Sequence, residues 1–403
     1  MILGSSKTTF LAIALVFAVI MMGTTLPTPL YPLYQQKLGF SQLMITVIFA
    51  TYAVGVIVAL LSVGTWSDQL GRRPLLGVGL ALSAASAVLF LVGGSVGPLL
   101  LGRLLSGLSA GIFTGTATVT VVELAPRAWL SKATFVATAA NMGGLGLGPL
   151  VAGGLSQYLP APLHLCFILD LVLLALGGAV VWCAPETVTQ PAGQRLRVQV
   201  PRVPAEVRGV FLPAAIAGFA GFAVLGLFTA VAPAVMGNIL EITNRATAGA
   251  VVFVVFIAST AGQGGQQRLP ETWRLPVGCL LLVVGVALIG AAIGLASLTA
   301  LLAGAVIAGL GQGVTLRAGL GAVAAASPSH RRGEVLSTFF VVLYLALSVP
   351  VIGIGIAADT LGLRTAGLIF TVAVATLGLT ALGSLLIQRR SKDSATESTV
   401  VSD

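Results

Sequence analysis

Long apolar runs separated by short polar connections are the main pattern of this chain. A membrane-spanning helix needs about 20 mostly apolar residues to cross roughly 30 Å of hydrocarbon. Runs of that kind begin near Phe10, Leu43, Leu75, Pro98, Ala133, Leu163, Val210, Ala246, Pro276, Ser297, Val335 and Arg364, which predicts twelve transmembrane helices. Most connections hold Gly, Pro or charge. The longest polar stretch, Pro185 to Arg208, divides the chain almost in half, and the Ser- and Thr-rich tail from Arg389 to Asp403 reads as disordered. The run from Phe10 to about Leu26 is long for a signal-peptide core and lacks an obvious cleavage site, so it reads as an uncleaved first helix.

The halves resemble each other at an offset near 202. Arg72 and Pro74 match Arg274 and Pro276, Gly107 and Gly111 match Gly309 and Gly313, and Pro126 matches Pro328. Regular spacing about a polar midpoint points to a duplicated six-helix unit, a plan on which transporter folds place the substrate between the halves. The expected fold is an all-α membrane protein, its twelve helices arranged in two pseudo-symmetric six-helix bundles. The expected divisions are 1–184 and 209–388 for the bundles, 185–208 for the linker and 389–403 for the tail.

Composition agrees. Of 403 residues, 57% are hydrophobic and 8% charged, with a mean hydropathy of +1.05. A soluble domain usually carries about 25% charged residues. The basic pI of about 10.1 would suit nucleic acid only with a basic patch on a soluble face. Here the cations sit in loops instead. With the N-terminus cytoplasmic, the opposite side keeps only Lys37, Arg245 and Arg364, so the positive-inside rule puts both ends in the cytoplasm. Cys166, Cys183 and Cys279 all lie in apolar runs without metal-ligand spacing and read as packing residues.

Between the second and third runs stands Gly64-Thr65-Trp66-Ser67-Asp68-Gln69-Leu70-Gly71-Arg72-Arg73-Pro74. Gly71 permits a tight turn, and Asp68 with the arginines can make charge-assisted bonds to helix ends. The segment resembles the loop signature of the major facilitator superfamily. The resemblance implies a conformational latch formed by Gly64, Asp68, Gly71, Arg72 and Arg73, with the arginine paired to Glu123 at the inner end of the fourth helix.

Arg103 and Gly107 in the fourth run resemble that family's fourth-helix motif. A mid-helix arginine costs on the order of 2.5–3.5 kcal/mol, so it either faces a partner or wet cavity or snorkels to the surface. Gly107, Gly111 and Gly115 form a small-residue stripe. The fifth run, with Gly144, Gly146, Gly148, Pro149, Gly153 and Gly154, resembles the Gly-Pro motif of drug/proton antiporters, with three residues rather than two between its Gly-Pro and Gly-Gly pairs. Pro149 removes a backbone bond, so the segment is either a hinge or a static kinked packing helix.

Asp170 is the one carboxylate placed deep in a run. Burial favours the neutral carboxyl and a nearby cation the ionised one, a poise suited to proton coupling. Asp170, working through Arg103, is therefore a proton-coupling candidate, the alternatives being a structural pair or a lone protonated acid. Arg317 in the tenth run has no evident acid partner. The first helix is polar and proline-broken at its outer end. Since the family lines its path with the first, fourth, seventh and tenth helices, Thr28, Tyr31 and Arg317 are candidate lining residues, while Tyr34 suits an interfacial anchor. Pro185-Glu186-Thr187 reads as a helix stop.

No phosphate-binding loop or His/Cys/carboxylate cluster appears, so an ATP-driven pump, an enzyme, a metal site and a cofactor are all unsupported. The expected function is proton-coupled export of small, apolar or drug-like compounds by alternating access, carried out by a monomer in a bacterial inner membrane. Its partners are a small-molecule substrate, the proton and membrane lipid, with no nucleic acid. The alternatives are a symporter importing a sugar or organic acid, and a non-transporting membrane receptor or enzyme.

Overall fold

The computed structural model describes residues 7–63, 66–188 and 200–400, excluding the side chains of Val63, Asp68 and residues 390–400. Gly64 therefore lies outside the described residues, as do Arg195 and Arg197 in the linker and the side chain of Asp68. Every regular element among the described residues is helical.

Twelve helices are long and apolar enough to cross a membrane. They are α1 (Lys7–Leu38), α2 (Gln42–Ser62), α3 (Arg72–Val92), α4 (Val96–Glu123), α5 (Arg127–Tyr158), α6 (Leu165–Cys183), α7 (Ala205–Asn238), α8 (Arg245–Arg268), α9 (Glu271–Leu295), α10 (Leu298–Ala326), α11 (Ser329–Leu361) and α12 (Leu363–Arg389). Several begin a few residues before the apolar runs do, because helix geometry carries on through the polar residues at the membrane surface. An even number of spans leaves both chain ends on one face, the termini face, opposite a far face.

The packing repeats across the two halves. The contacts of α3 with α4, α2 with α4, α1 with α5 and α3 with α6 recur as α9 with α10, α8 with α10, α7 with α11 and α9 with α12. The glycine pairs at offset 202 serve these equivalent contacts. A Cβ on Gly107 or Gly111 would strike the α2 backbone at Tyr52 or Val56, and one on Gly309 or Gly313 would strike α8 at Val255 or Ser259. Hydrocarbon offers no drive for apolar faces to associate, so close backbone approach is what holds such helices together. Gly115 meets nothing and is not part of this contact. The halves join through α5 against α8 and α2 against α11, again a symmetric pair.

Two spans are irregular at matching places. In α1 the helix stops at Thr25, a 3-10 turn covers Thr28–Leu30, and helix resumes at Tyr31. In α7 a π-turn covers Leu227–Val231. Proline explains the first break, since Pro27 and Pro29 lack the N–H groups that Gly23 and Thr25 would otherwise receive.

Helix continues from Leu363 to Val400, past Arg389. No Gly or Pro follows Gly383, and the Arg, Lys, Ala and Glu there are good helix formers. Residues 401–403 lie outside the described residues.

Candidate functional site

The loop before α3 sits in a connected network of hydrogen bonds. Gly71 has φ 94°, a region suited to glycine, and turns the chain into α3 with no side chain to cap the helix. Glu186, from just beyond α6, supplies the missing acceptor. Its Oε1 takes the N–H of Arg72 at 2.9 Å and its Oε2 that of Arg73 at 3.0 Å. Arg72 is 6% exposed, and its Nη2 lies 3.0 Å from Glu123 Oε1. Ser67 accepts from Arg72 Nη1 at 2.5 Å, while the Thr187 hydroxyl donates to Glu123 at 2.6 Å. Arg73 Nη2 donates to the Trp182 carbonyl. The pairing of arginine with Glu123 is thus present, and Glu186, which reads in the sequence only as a helix stop, is an added member. A carboxylate at a helix N-terminus answers both the unmade N–H bonds and the helix dipole.

Between the halves lies a small cavity of about 60 Å³. Its wall includes Phe49, Tyr52, Phe222, Phe256, Phe340 and Tyr344, with Thr25, Arg103, Asn141 and Thr229 as polar points. Tyr344 of the second half meets Tyr52 of the first at 6.5 Å between ring centroids and Phe222 at 6.0 Å. No carboxylate lies on this wall. Thr28, Tyr31 and Arg317, the sequence candidates for the lining, are also absent from it. The break in α1 turns Thr28 and Tyr31 into the protein, where they are 3% and 2% exposed, and Thr25 lines the cavity instead. Tyr34 is no surface anchor either: it is 1% exposed and donates to the Phe90 carbonyl at 3.2 Å.

Arg103 is 2% exposed, so it does not snorkel. Its Nη1 donates to the Thr24 carbonyl at 2.5 Å, and its guanidinium lies 4.6 Å from the Tyr52 ring centroid and 5.7 Å from that of Phe49. A cation at the C-terminal end of a helix segment and over two aromatic faces is stabilised without a counter-ion. Asp170, also 2% exposed, lies behind the same turn of α1. A Cβ on Gly23 would come within 2.9 Å of its Oδ2, and its Oδ1 has no hydrogen-bond partner among the described residues. Arg103 therefore bonds Thr24 and Asp170 lies against the adjacent Gly23, and the two form no ion pair with each other.

The glycine-rich helix α5 runs unbroken from Leu130 to Tyr158 with Pro149 inside it. Pro149 leaves the Leu145 carbonyl without its helical N–H, and the Thr25 hydroxyl donates to it at 2.8 Å. Gly144 and Gly148 press on α1 at Ala18 and Met22, while Gly146 and Gly153 press on α8 at Phe256 and Arg245. Gly154 meets nothing within 4 Å. At the far face Arg245 ties α8 to α5, its Nη2 donating to the Ser156 carbonyl at 2.6 Å and its N–H to Gln157 at 3.0 Å.

Comparison with known proteins adds a family. The quinolone resistance protein NorA of Staphylococcus aureus is 28% identical over 163 residues, 38% of this chain and 42% of that protein, so the alignment spans less than half of either. Two solved structures share the fold. One is a bacterial homologue of the human lysosomal transporter Spinster, in an inward-facing and unoccupied conformation. It has a TM-score of 0.70 at 15% identity and covers 94% of this chain and 98% of that one. The other, the human organic anion transporter MFSD10 (TETRAN), has a TM-score of 0.67 at 19% identity over 94% and 99%. Residues 13–295, well over half of the chain, match the Major Facilitator Superfamily. With its twelve spans and paired halves, this chain belongs to that superfamily of membrane transporters and is not an enzyme.

Proposed function

We propose that this protein exports small apolar or drug-like compounds by alternating access, driven by protons entering across a bacterial cytoplasmic membrane. The observation that carries this reading is the narrow aromatic cavity between the halves. A drug-sized ligand needs roughly 300–1,000 Å³, several times the 60 Å³ present. Binding and release therefore require the halves to part, first on one face and then on the other. An aromatic wall favours apolar cargo through the area it removes from water. The name of the relative NorA, a quinolone resistance protein, agrees with cargo of this class. The charge asymmetry of the loops supports a cytoplasmic position for both termini and for the Arg72–Glu123 pair.

Asp170 is the proposed proton carrier. An ionised carboxylate buried without a cation is costly, and a bound proton removes that cost. Because Asp170 abuts Gly23, a change in its charge acts on the turn of α1 that Arg103 also holds. A second reading rests on Arg103, whose position on the cavity wall suits an imported organic acid.

Transport into inverted vesicles separates the two. Acid-loaded vesicles should accumulate an apolar fluorescent dye and release it when the gradient is collapsed. Dye exclusion, together with carboxylate uptake by right-side-out vesicles in an inward proton gradient, would select the symporter.

A further inference from the structure

A membrane-facing groove of about 470 Å³ lies between α3 and α6 at the termini face, remote from the cavity between the halves. Its apolar part is formed by Gly77, Leu80 and Gly178, and its rim by Arg73, Trp182 and Glu186. Gly77 and Gly178 create the room, since a Cβ on either would meet nothing within 4 Å. The surrounding surface is hydrocarbon-compatible, with Val78 49% exposed and Leu176 61% exposed. Trp182 is 79% exposed at the helix end, the depth at which indoles favour the headgroup region.

The rim carries two opposite charges, Arg73 and Glu186, of which the carboxylate is already engaged. Both Glu186 oxygens already accept backbone N–H bonds, from Arg72, Thr187 and Val188 on Oε1 and from Arg73 on Oε2. The Arg73 guanidinium has no carboxylate partner among the described residues, and the bond it makes is to the Trp182 carbonyl. The rim thus offers a cation with unused donors above a groove that only an apolar chain would fill. Basic groups between spans at the membrane surface are suited to anionic headgroups.

We infer that this groove binds one anionic phospholipid of the leaflet on the termini face, with its phosphate on Arg73 and the Trp182 indole and an acyl chain over Gly77 and Gly178. Free phosphate fits less well, because it would leave the apolar part of the groove empty. The inference rests on the membrane spans and not on the identity of the cargo, so failure of the export reading leaves it standing.

The test is native mass spectrometry of the full chain in mixed micelles of phosphatidylglycerol or phosphatidylcholine. The wild type should retain one phosphatidylglycerol and little phosphatidylcholine, and glycerol phosphate should not displace the bound lipid. Gly77→Leu and Gly178→Leu should each lower phosphatidylglycerol occupancy at least tenfold, whereas Gly154→Leu, at an open site on α5, should leave it unchanged. Arg73→Gln fills no space and carries the test should a leucine variant unfold; it should abolish the preference for the anionic lipid. Equal retention of both lipids by the wild type, unchanged occupancy in Arg73→Gln, or displacement by glycerol phosphate would overturn the inference.

Discussion

Asp170 and Arg103 lie against neighbouring residues of α1, Gly23 and Thr24, in different surroundings. Arg103 finds a carbonyl and two aromatic faces although its Nε is unpartnered, whereas Asp170 Oδ1 has no hydrogen-bond partner among the described residues. Asp170→Asn is therefore expected to abolish gradient-driven dye transport while leaving dye binding in detergent within about twofold. Unchanged transport would remove Asp170 from the coupling step. Glycines at this scale are not equivalent. A Cβ on Gly148 would overlap Thr25 and the Met22 carbonyl, so Gly148→Ala should destabilise the protein by about 1–3 kcal/mol. Gly154→Ala should stay within about 0.5 kcal/mol. Thermal unfolding of both variants in the same detergent checks the difference.

Within elements, what matters is how each break in a helix is mended. Pro149 frees the Leu145 carbonyl, and Thr25 on α1 satisfies it. Thr25→Val keeps the shape and removes the donor, so it is expected to cost about 1–3 kcal/mol, with Thr25→Ser restoring most of it. Equal stability of the two variants would show that the bond does not matter. The start of α3 follows the same logic, because Gly71 cannot cap it and Glu186 does. The sequence displays Pro149, Gly71 and Glu186 openly. It conceals their partners, since Thr25 is 120 residues from Leu145 and Glu186 is 114 from Arg72.

Across the whole molecule, the Arg72–Glu123 network on the termini face and the Arg245 ties on the far face flank the cavity between the halves. If the latch holds the termini face shut, Glu123→Gln should weaken the grip on Arg72 and favour opening on that side. Labelling of a cysteine placed at Asn141, on the cavity wall, should then accelerate severalfold from the termini face and slow from the far face. An unchanged labelling rate from both faces would deny the Arg72–Glu123 pair a gating role. Opening is a shift between two packed arrangements, so the variant changes populations rather than creating a new state.

The ion pair of Arg72 and Glu123 and the glycine contacts of α4 and α10 were legible because short motifs and a fixed offset carry them. By itself the sequence determined the solvent of the fold, the number of spans and their duplication. Each follows from a local requirement, since every segment in hydrocarbon must be apolar and must satisfy its own backbone. Tertiary structure alone decided that Arg103 meets Thr24 rather than Asp170, that Thr25 lines the cavity in place of Thr28 and Tyr31, and that Glu186 caps α3. Those outcomes depend on how each helix is rotated and shifted against neighbours far away in the chain, a choice that packing makes and apolar periodicity does not encode.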